Sequence, residues 1–453
     1  MSPTNQPVSP QTSSSTDKSP YRLSRIATEN EARNLVAMTL YQVMLRTGWI
    51  FKTESIVMPA VLDTITGGGS FGGLLRGCLP VLNRIGHSIP PLLFSRRLKL
   101  LPQKRRAVMA CILCMAAVFA VLSGMWWITG TRVVWWMPVM FLVCYLSFFV
   151  ATGIHNLALG TLQGKLIHAT RRGRLLLASN VIGAFCAITA VALLMPHWLT
   201  PEGGQFDRIF GFTAICFAAG SFILLLVVEP IDDFRDANPG VRHLFASSLR
   251  IVRSDRDFRR LAWVAVAFGS SLVLFPHYQA LGRSDRLGLS FDNLMTWLIV
   301  QSIGTAIFSL VAGPVADRRG NRLVMQLVLI GIAAMPLTAL ALSYSRVWGP
   351  TLYPLVFLFI GLTPVGFKTI NNYVLEISNS EDHPRYLSTL GLFLALPLLL
   401  SPVMGWIVET VNFETVFIAV SCMVFTGFLF TFRLREPRNS ILTSQSRREE
   451  SDE

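Results

Sequence analysis

The sequence predicts an all-α membrane protein in which twelve transmembrane helices form two pseudo-symmetric six-helix bundles. Of its 453 residues, 52% are hydrophobic and only 15% are charged, whereas a soluble domain carries about 25% charged residues. The apolar residues come in blocks of about 20, the length of a helix that crosses roughly 30 Å of hydrocarbon. Short matches between the two halves indicate a duplicated unit. The composition therefore excludes a soluble enzyme, a disordered scaffold and a disulfide-stapled secreted domain.

The chain begins with a polar segment, residues 1–33, that is rich in Ser, Thr, Pro and Asn. Such a composition cannot bury enough apolar surface to fold, so we expect a disordered cytoplasmic tail. The segment lacks the apolar core of a cleavable signal peptide. The first membrane helix is therefore expected to direct insertion.

Twelve apolar blocks follow and define the expected domains. The first bundle is expected over residues 34–229, a cytoplasmic linker over 230–260, the second bundle over 261–434 and a cytoplasmic tail over 435–453. Within the linker, Val241–Arg253 has an amphipathic pattern and is predicted to lie on the membrane surface as a short helix. The blocks span residues 34–61, 70–93, 107–129, 133–160, 174–196, 207–229, 261–282, 293–316, 323–345, 350–376, 387–410 and 413–434.

The distribution of basic residues predicts the orientation. The net charge is +14, but the basic residues occupy short segments between apolar blocks and form no continuous basic face, so we expect no nucleic-acid partner. When both termini are placed in the cytoplasm, nearly all loop Lys and Arg residues fall on the cytoplasmic side, as the positive-inside rule requires. We therefore predict a multi-pass protein of the plasma (inner) membrane with both termini cytoplasmic.

The cysteines give no sign of a metal or redox site. All seven lie inside apolar blocks. Cys111 and Cys114 form a C-x-x-C pattern, but no second pair of ligands accompanies it. We interpret them as packing residues and predict neither a metal nor a cofactor.

Matching residues relate the two halves at a spacing of a little over 200 residues. The sixth and twelfth blocks share Phe, Gly and Glu-Pro positions, and the fourth and tenth share a Gly. Parallel repeats of this kind build one large class of secondary transporters. The matched pairs include Phe206 with Phe413, Gly220 with Gly427, Glu229 with Glu436, Gly153 with Gly361 and Arg106 with Arg322.

A motif between the eighth and ninth blocks has the most specific pattern in the chain. Residues 313–322 read Gly-Pro-Val-Ala-Asp-Arg-Arg-Gly-Asn-Arg, and this resembles the loop signature of the major facilitator superfamily, G-x-x-x-D-R-x-G-x-R/K. Gly313 would let two helices approach closely, and Gly320 would permit a positive φ in the loop. Arg318 would pair with Glu376 or Glu436. The alternative is a basic turn that only follows the positive-inside rule.

The resemblance implies a fold and a gate. A major facilitator protein has two six-helix bundles around a central cavity lined by helices 1, 4, 7 and 10. The bundles rock against each other, so that the cavity opens to one side of the membrane and then to the other. The predicted gate residues are Gly313, Asp317, Arg318, Gly320 and Arg322. The equivalent loop of the first half, residues 95–106, lacks the Asp and the Gly, so the second half is expected to carry the gate.

Charged residues inside the bilayer are the main indication of a binding site, because each costs on the order of 2.5–3.5 kcal/mol. Arg46 and Arg84 are predicted near the midplane. On a continuous first helix, Arg46 and Glu54 would share one stripe while Lys52 would point to nearly the opposite side. Lys52 and Arg76 are also counted among the basic residues of the expected cavity, and the alternative is that they snorkel outward or pair with Glu54.

Polar residues on four helices complete the predicted site. We expect a water-filled cavity in which basic residues hold an anionic solute and Glu54 is the proton-coupling site. The histidines could instead be hydrogen-bonded packing residues, and the asparagines could bond helix to helix. The predicted substrate-binding residues are Arg46, Arg84, His155, His277, Lys368, Asn371 and Asn372.

The predicted function is secondary active transport of a small solute by alternating access. A small organic anion is the favoured solute, and proton coupling is a hypothesis. The chain has no ATP-binding phosphate loop and no paired nucleophile and base, so we predict no catalytic residue. The alternatives are a drug or metabolite exporter of the same fold and a non-transporting membrane sensor. The expected partners are the solute and membrane lipid, and the expected state is a monomer.

Overall fold

The computed structural model describes residues 25–130, 132–201, 203–231, 252–253, 255–378 and 382–436. Most of the two predicted tails, and nearly all of the predicted amphipathic helix of the linker, lie outside the described residues. Within them, the chain is a bundle of long helices, as the composition predicts. Ten of the described helices are long and apolar enough to cross a membrane. The first two membrane helices carry more charge, and together with the ten they give the predicted twelve.

The first six membrane helices contain one large interruption. Helix 1 has two parts, separated at residues 51–56, and helix 6 ends in a 3-10 turn. The polypeptide between helices 5 and 6 forms a two-residue antiparallel ladder, Leu199–Thr200 with Gly203–Gly204. The bounds are Glu31–Ile50 and Val57–Thr66 for helix 1, Gly69–Leu100 for helix 2, Lys104–Thr129 for helix 3, Met137–Leu166 for helix 4, Ala169–Trp198 for helix 5, and Phe206–Ile223 with Leu224–Leu226 for helix 6.

The last six membrane helices contain three segmented members. Helices 7 and 11 each have a 3-10 turn inside them, and helix 10 has three parts. The bounds are Arg256–Ser271, Leu272–Leu274 and Phe275–Arg283 for helix 7, Asn293–Arg319 for helix 8, Asn321–Tyr344 for helix 9, Gly349–Leu352, Pro354–Ile360 and Leu362–Ile377 for helix 10, His383–Ala395, Leu396–Leu400 and Ser401–Thr410 for helix 11, and Phe413–Thr431 for helix 12.

The start of helix 1 and the end of helix 6 lie at one side of the molecule, as do the start of helix 9 and the end of helix 12. At the start of helix 1, the Arg33 guanidinium donates to the Leu226 carbonyl at the end of helix 6, 2.9 Å away. At the start of helix 9, Arg322 donates to the Thr431 and Phe432 carbonyls at the end of helix 12. We call this side the terminal face and the opposite side the far face.

The same helix-end contact occurs in both bundles. Arg105 at the start of helix 3 donates to the Val227 carbonyl at 2.6 Å, as Arg322 does to the end of helix 12. Each guanidinium satisfies carbonyl groups that have no partner within their own helix. Arg105 therefore makes the contact that corresponds to that of Arg322. The repeat in the sequence pairs Arg322 with Arg106, one position later. Glu229 accepts from the Lys104 and Arg105 backbone N–H groups at 2.8 and 2.7 Å.

The repeated glycines mark close helix contacts. A Cβ on Gly153 of helix 4 would lie 2.7 Å from the Gly86 carbonyl oxygen of helix 2. A Cβ on its repeat partner Gly361 would lie 2.6 Å from the Gly304 carbonyl carbon of helix 8. Because real Cβ atoms do not approach so closely, these glycines are required for helices 2 and 4, and for helices 8 and 10, to touch. The sequence repeat thus corresponds to a repeated packing contact.

Candidate functional site

Two neighbouring cavities lie between the bundles. The larger has a volume of about 550 Å³ and the smaller about 450 Å³. Glu54 of helix 1 and Phe275 of helix 7 line both, so the cavities meet at these two residues. The polar residues of the larger cavity include Gln42, Arg46, Thr53, His155, Asn156, Asn180, Gln301, Ser302 and Thr305. Those of the smaller include Asn83, Arg84, His87, Ser88 and Tyr145.

The interruption of helix 1 places Glu54 at this junction. Pro59 lies in the first turn of the second part, where a missing N–H costs nothing. Because Pro59 has no N–H to donate to the Ser55 carbonyl, the hydrogen-bond ladder cannot run unbroken through residues 51–56. Thr53 caps the exposed end, since its hydroxyl donates to the Ile50 carbonyl at 2.6 Å. The expected continuous first helix is therefore wrong.

Lys52 and Glu54 form a buried ion pair in this interruption. The Lys52 ammonium lies 2.8 Å from Glu54 Oε1, and the Lys52 side chain is fully buried while that of Glu54 is 27% exposed. The same ammonium lies 3.4 Å from the centre of the Trp49 ring, which is attractive because the ring face is electron-rich. Asn83 of helix 2 donates to Glu54 Oε2. Both carboxylate oxygens of Glu54 are thus occupied by protein donors.

Arg46 lines the larger cavity and is bonded to an amide. Its guanidinium donates to Asn180 Oδ1 of helix 5 at 2.6 Å. Its aliphatic stem packs on Gly183, where a Cβ would lie 2.9 Å from Arg46 Cδ. In the described part of the chain no carboxylate forms an ion pair with Arg46, and a charged group on a solute would supply that partner.

Arg84 lines the smaller cavity and joins the two bundles. It donates to the Gly391 carbonyl of helix 11 at 2.5 Å, and its Nε is buried with no hydrogen-bond partner among the described residues. A buried guanidinium N–H without a hydrogen-bond partner is costly. A bound acceptor group in the smaller cavity would remove that cost.

His155 and Asn156 form the helix 4 side of the larger cavity. His155 is 3% exposed, its Nε2 is bonded to the Tyr41 hydroxyl, and its Nδ1 lies 3.2 Å from Asn156 Oδ1. These two contacts use both ring nitrogens. His155 therefore supports Asn156 and Tyr41, and it also lines the cavity as predicted.

Helix 10 presents its predicted binding residues on an exposed face. Lys368, Asn371 and Asn372 have exposed side chains and are not among the residues that line the two cavities in the described chain. Phe367, which lies next to Lys368, lines the smaller cavity. The three polar residues continue from Phe367 toward the end of helix 10, on the terminal-face side of that cavity.

His277 lies in a separate cluster toward the far face, which we call the far-face cluster. Arg76 of helix 2 is at its centre, 2% exposed. It bonds to Asp63 of helix 1 at 2.7 Å, to Glu409 of helix 11, and through its Nε to His277 Nδ1 at 3.3 Å. Gln279 of helix 7 donates to Asp63 at 2.7 Å. The cluster joins residues 63 and 76 of the first bundle to three residues of the second.

Sequence reasoning missed much of this cluster. It counted Arg76 among the basic residues of the cavity, with snorkelling or pairing with Glu54 as the alternatives, and it did not single out Asp63 or Glu409. The available signal was that all three are charged residues inside helices, in the turns nearest the far-face ends. Their association across three helices could not be read from spacing.

The predicted gate residues lie at the terminal face. Gly320 has a φ of +86°, so the expected positive φ is confirmed, and the Glu436 carboxylate packs against it. The expected close approach at Gly313 is wrong here, because a Cβ on Gly313 would meet no atom within 4 Å. Glu376 accepts a hydrogen bond from Asn321 at 2.8 Å. Asp317 and Arg318 have exposed side chains, and Arg322 binds the end of helix 12.

The chain matches one protein family over its second half. A family model described as Major Facilitator Superfamily matches residues 278–451. This second half is therefore similar to major facilitator proteins. The helix count, the two bundles and the terminal-face motif agree with this assignment, and the predicted fold class is confirmed.

Other proteins match a larger part of the chain. An uncharacterized protein of Mycobacterium tuberculosis is 26% identical over 302 residues, which are 64% of this chain and 54% of the relative. The chain thus spans about half the length of the curated relatives it matches. The nucleoside transporter NupG has a TM-score of 0.67 at 12% identity, covering 88% of this chain and 99% of NupG. A D-xylose-proton symporter has a TM-score of 0.65 at 14% identity, covering 89% and 99%. At these identities, the solved structures show the fold alone.

Proposed function

We propose that this chain is a secondary active transporter that carries a small organic anion across the plasma membrane by alternating access. The observation that carries the proposal is the charge balance of the two cavities. Arg46 lines one cavity and Arg84 the other, whereas Glu54 is the single carboxylate that lines either among the described residues. Since Lys52 already neutralises Glu54, the cavities carry surplus positive charge that an anionic solute would balance.

The closed far face supports alternating access. Helices 2 and 11 touch there through backbone atoms, and the far-face cluster links both bundles. On the other side, the exposed Asn156 and Asn180 side chains, which line the larger cavity, indicate that solvent reaches it from the terminal face. We place the terminal face in the cytoplasm, because most loop Lys and Arg residues lie on it.

Glu54 is the proposed proton-coupling residue. It lies at the junction of the two cavities, within reach of a solute in either one. Protonation of Glu54 would release Lys52 from its ion pair, and the Lys52 ammonium would then be free to attract the anion. The D-xylose-proton symporter has a similar fold, and its name describes a transporter that couples a solute to protons. At 14% identity the similarity is one of fold, so proton coupling of this chain is part of the proposal.

Uptake into proteoliposomes under an imposed pH gradient tests the proposal. We expect uptake of at least one organic anion and a loss of at least tenfold in Arg46→Gln and in Arg84→Gln, because each removes about 1.5–3 kcal/mol of charge-assisted hydrogen bonding. Arg132→Gln, which removes an exposed arginine outside the cavities, is the matched control. Glu54→Gln should transport the anion without dependence on the pH gradient.

Two results would reject the proposal. Full anion uptake in both Arg46→Gln and Arg84→Gln would remove the anion hypothesis. Unchanged dependence on the pH gradient in Glu54→Gln would remove Glu54 as the coupling residue while leaving anion transport in place.

A further inference from the structure

Three of the four amide side chains that line the larger cavity have their oxygens bonded to the protein. Asn180 Oδ1 accepts from Arg46 at 2.6 Å, Asn156 Oδ1 lies 3.2 Å from His155 Nδ1, and Gln301 Oε1 accepts from the Ser55 hydroxyl at 2.8 Å. An amide carries two N–H donors in addition to its oxygen. Each of the three residues therefore retains an NH₂ group for a solute.

The hydroxyl groups of the same cavity are left with hydrogen-bond acceptors, whereas the amides are left with donors. Thr53 donates its proton to the Ile50 carbonyl, Ser302 to the Leu298 carbonyl and Thr305 to the Gln301 carbonyl, at 2.6, 2.9 and 3.0 Å. A hydroxyl that has donated its proton still has lone pairs that accept. The cavity wall therefore pairs amide donors with hydroxyl acceptors, which is the combination that a solute hydroxyl can satisfy on both sides.

Arg46 supplies the charged position in this wall. A guanidinium has five N–H donors, and one of them bonds to Asn180. Because Arg46 and Asn180 are bonded to each other, an anionic group on the guanidinium would lie beside the Asn180 NH₂ group. Charge recognition and hydroxyl recognition thus occur side by side.

We infer that the solute is a polyhydroxylated anion, of the chemical class of a sugar acid or a sugar phosphate. This inference rests on the proposed function. The anionic group lies on Arg46, and the solute hydroxyl groups accept from the amides of helices 4, 5 and 8 and donate to the Ser and Thr oxygens. Because Gln301 belongs to the second bundle and the other two amides to the first, the hydroxyl groups bridge the bundles.

Four small molecules distinguish the contribution of the solute's charge to binding from that of its hydroxyl groups. Isothermal titration calorimetry of the full chain in detergent compares gluconate, glucose 6-phosphate, glucose and hexanoate. We expect gluconate or glucose 6-phosphate to bind at least tenfold more tightly than both glucose and hexanoate, because a site built to bond hydroxyl groups rejects analogues that lack them. The tighter of the two identifies the anionic group as carboxylate or phosphate.

Gln301→Leu tests the amide contribution directly. This variant removes an NH₂ group without adding charge, so it should weaken the preferred hydroxylated anion at least tenfold and leave hexanoate binding within twofold. Gln205→Leu, the same change at an exposed position between helices 5 and 6, is the matched control and should alter neither. Calorimetry of Gln301→Leu that matches the unsubstituted protein would overturn the inference.

The remaining outcomes separate this inference from the proposed function. Hexanoate binding as tight as that of the better hydroxylated anion would overturn the hydroxyl claim and leave anion transport standing. Glucose binding as tight as gluconate, and unaffected by Arg46→Gln, would overturn the proposed anion transport itself. Failure of both hydroxylated anions to bind at millimolar concentration would overturn the assigned solute class.

Discussion

Lys52 shows at the scale of one residue how a costly charge is kept in the bilayer. Its ammonium is fully buried, but it contacts Glu54 at 2.8 Å and the rings of Trp49, Phe148 and Phe149 at 3.4, 4.5 and 4.7 Å. The carboxylate supplies a counter-charge, and the three rings supply electron-rich faces. A buried charge is tolerated only when it is paired in this way.

Removing the ammonium should therefore destabilise the protein. We expect Lys52→Met to lower the free energy of unfolding by about 2–3 kcal/mol, less than a fully buried pair would lose because Glu54 is partly exposed. Lys52→Met with Glu54→Gln should recover most of this loss, since no unpaired charge then remains. Circular dichroism during denaturant titration measures the change, and a double variant no more stable than Lys52→Met would show that the pair does not explain the burial.

At the scale of the helix, helices 2 and 11 touch through their backbones toward the far face. A Cβ on Gly405 would overlap the Gly73 carbonyl oxygen, and a Cβ on Gly77 would overlap the Ser401 carbonyl oxygen. These contacts connect the two bundles. A side chain at any of these glycines must push the helices apart, because backbone atoms cannot move aside as flexible side chains can.

Gly405→Val should therefore lower the thermal unfolding midpoint. The expected loss is about 1–3 kcal/mol, the cost of overpacking a tight contact. Gly124→Val is the matched control, because a Cβ on Gly124 of helix 3 meets no atom within 4 Å. If both variants unfold at the same temperature, the contact between helices 2 and 11 does not limit stability.

At the scale of the whole molecule, the far-face cluster connects the two bundles electrostatically. Arg76 is shared between Asp63 of its own bundle and Glu409 of the other. If the far face opens, as the proposed alternating access requires, Arg76 can stay with Asp63 but must leave Glu409 and His277. The cluster thus stabilises the far-face-closed arrangement relative to the open one.

Arg76→Gln should open the far face. Hydrogen–deuterium exchange of the full chain should be faster in residues 57–66 and 401–410, the far-face parts of helices 1 and 11. Arg286→Gln is the matched control, because Arg286 pairs with Glu414 at 2.5 Å within the second bundle and joins no two bundles. Equal exchange in Arg76→Gln and the unsubstituted protein would show that the cluster does not hold the face closed.

The repeat was accessible from the sequence because it is encoded locally. Gly220 and its repeat partner Gly427 both lie at contacts with the first helix of their bundle: a Cβ on Gly220 would lie 3.1 Å from Leu45, and one on Gly427 would overlap Ala267. Because each contact requires a glycine, a glycine occurs at the matching position in both halves of the sequence. The interruption of helix 1 was not foreseen, because Pro59 lies inside a run of apolar residues that reads as one continuous helix.

The sequence by itself determined that this chain is a duplicated bundle of membrane helices with charges in its interior. Hydrophobic block length and loop charge are properties of local segments, so lipid and water act on them without reference to the rest of the fold. Only the tertiary structure decided which charges meet: Lys52 with Glu54 across a helix break, Arg76 with Asp63 and Glu409, and Arg46 with an amide instead of an acid. Those partners come from different helices, or from the two sides of a break. Their distances depend on packing between segments, and residue spacing does not encode that packing.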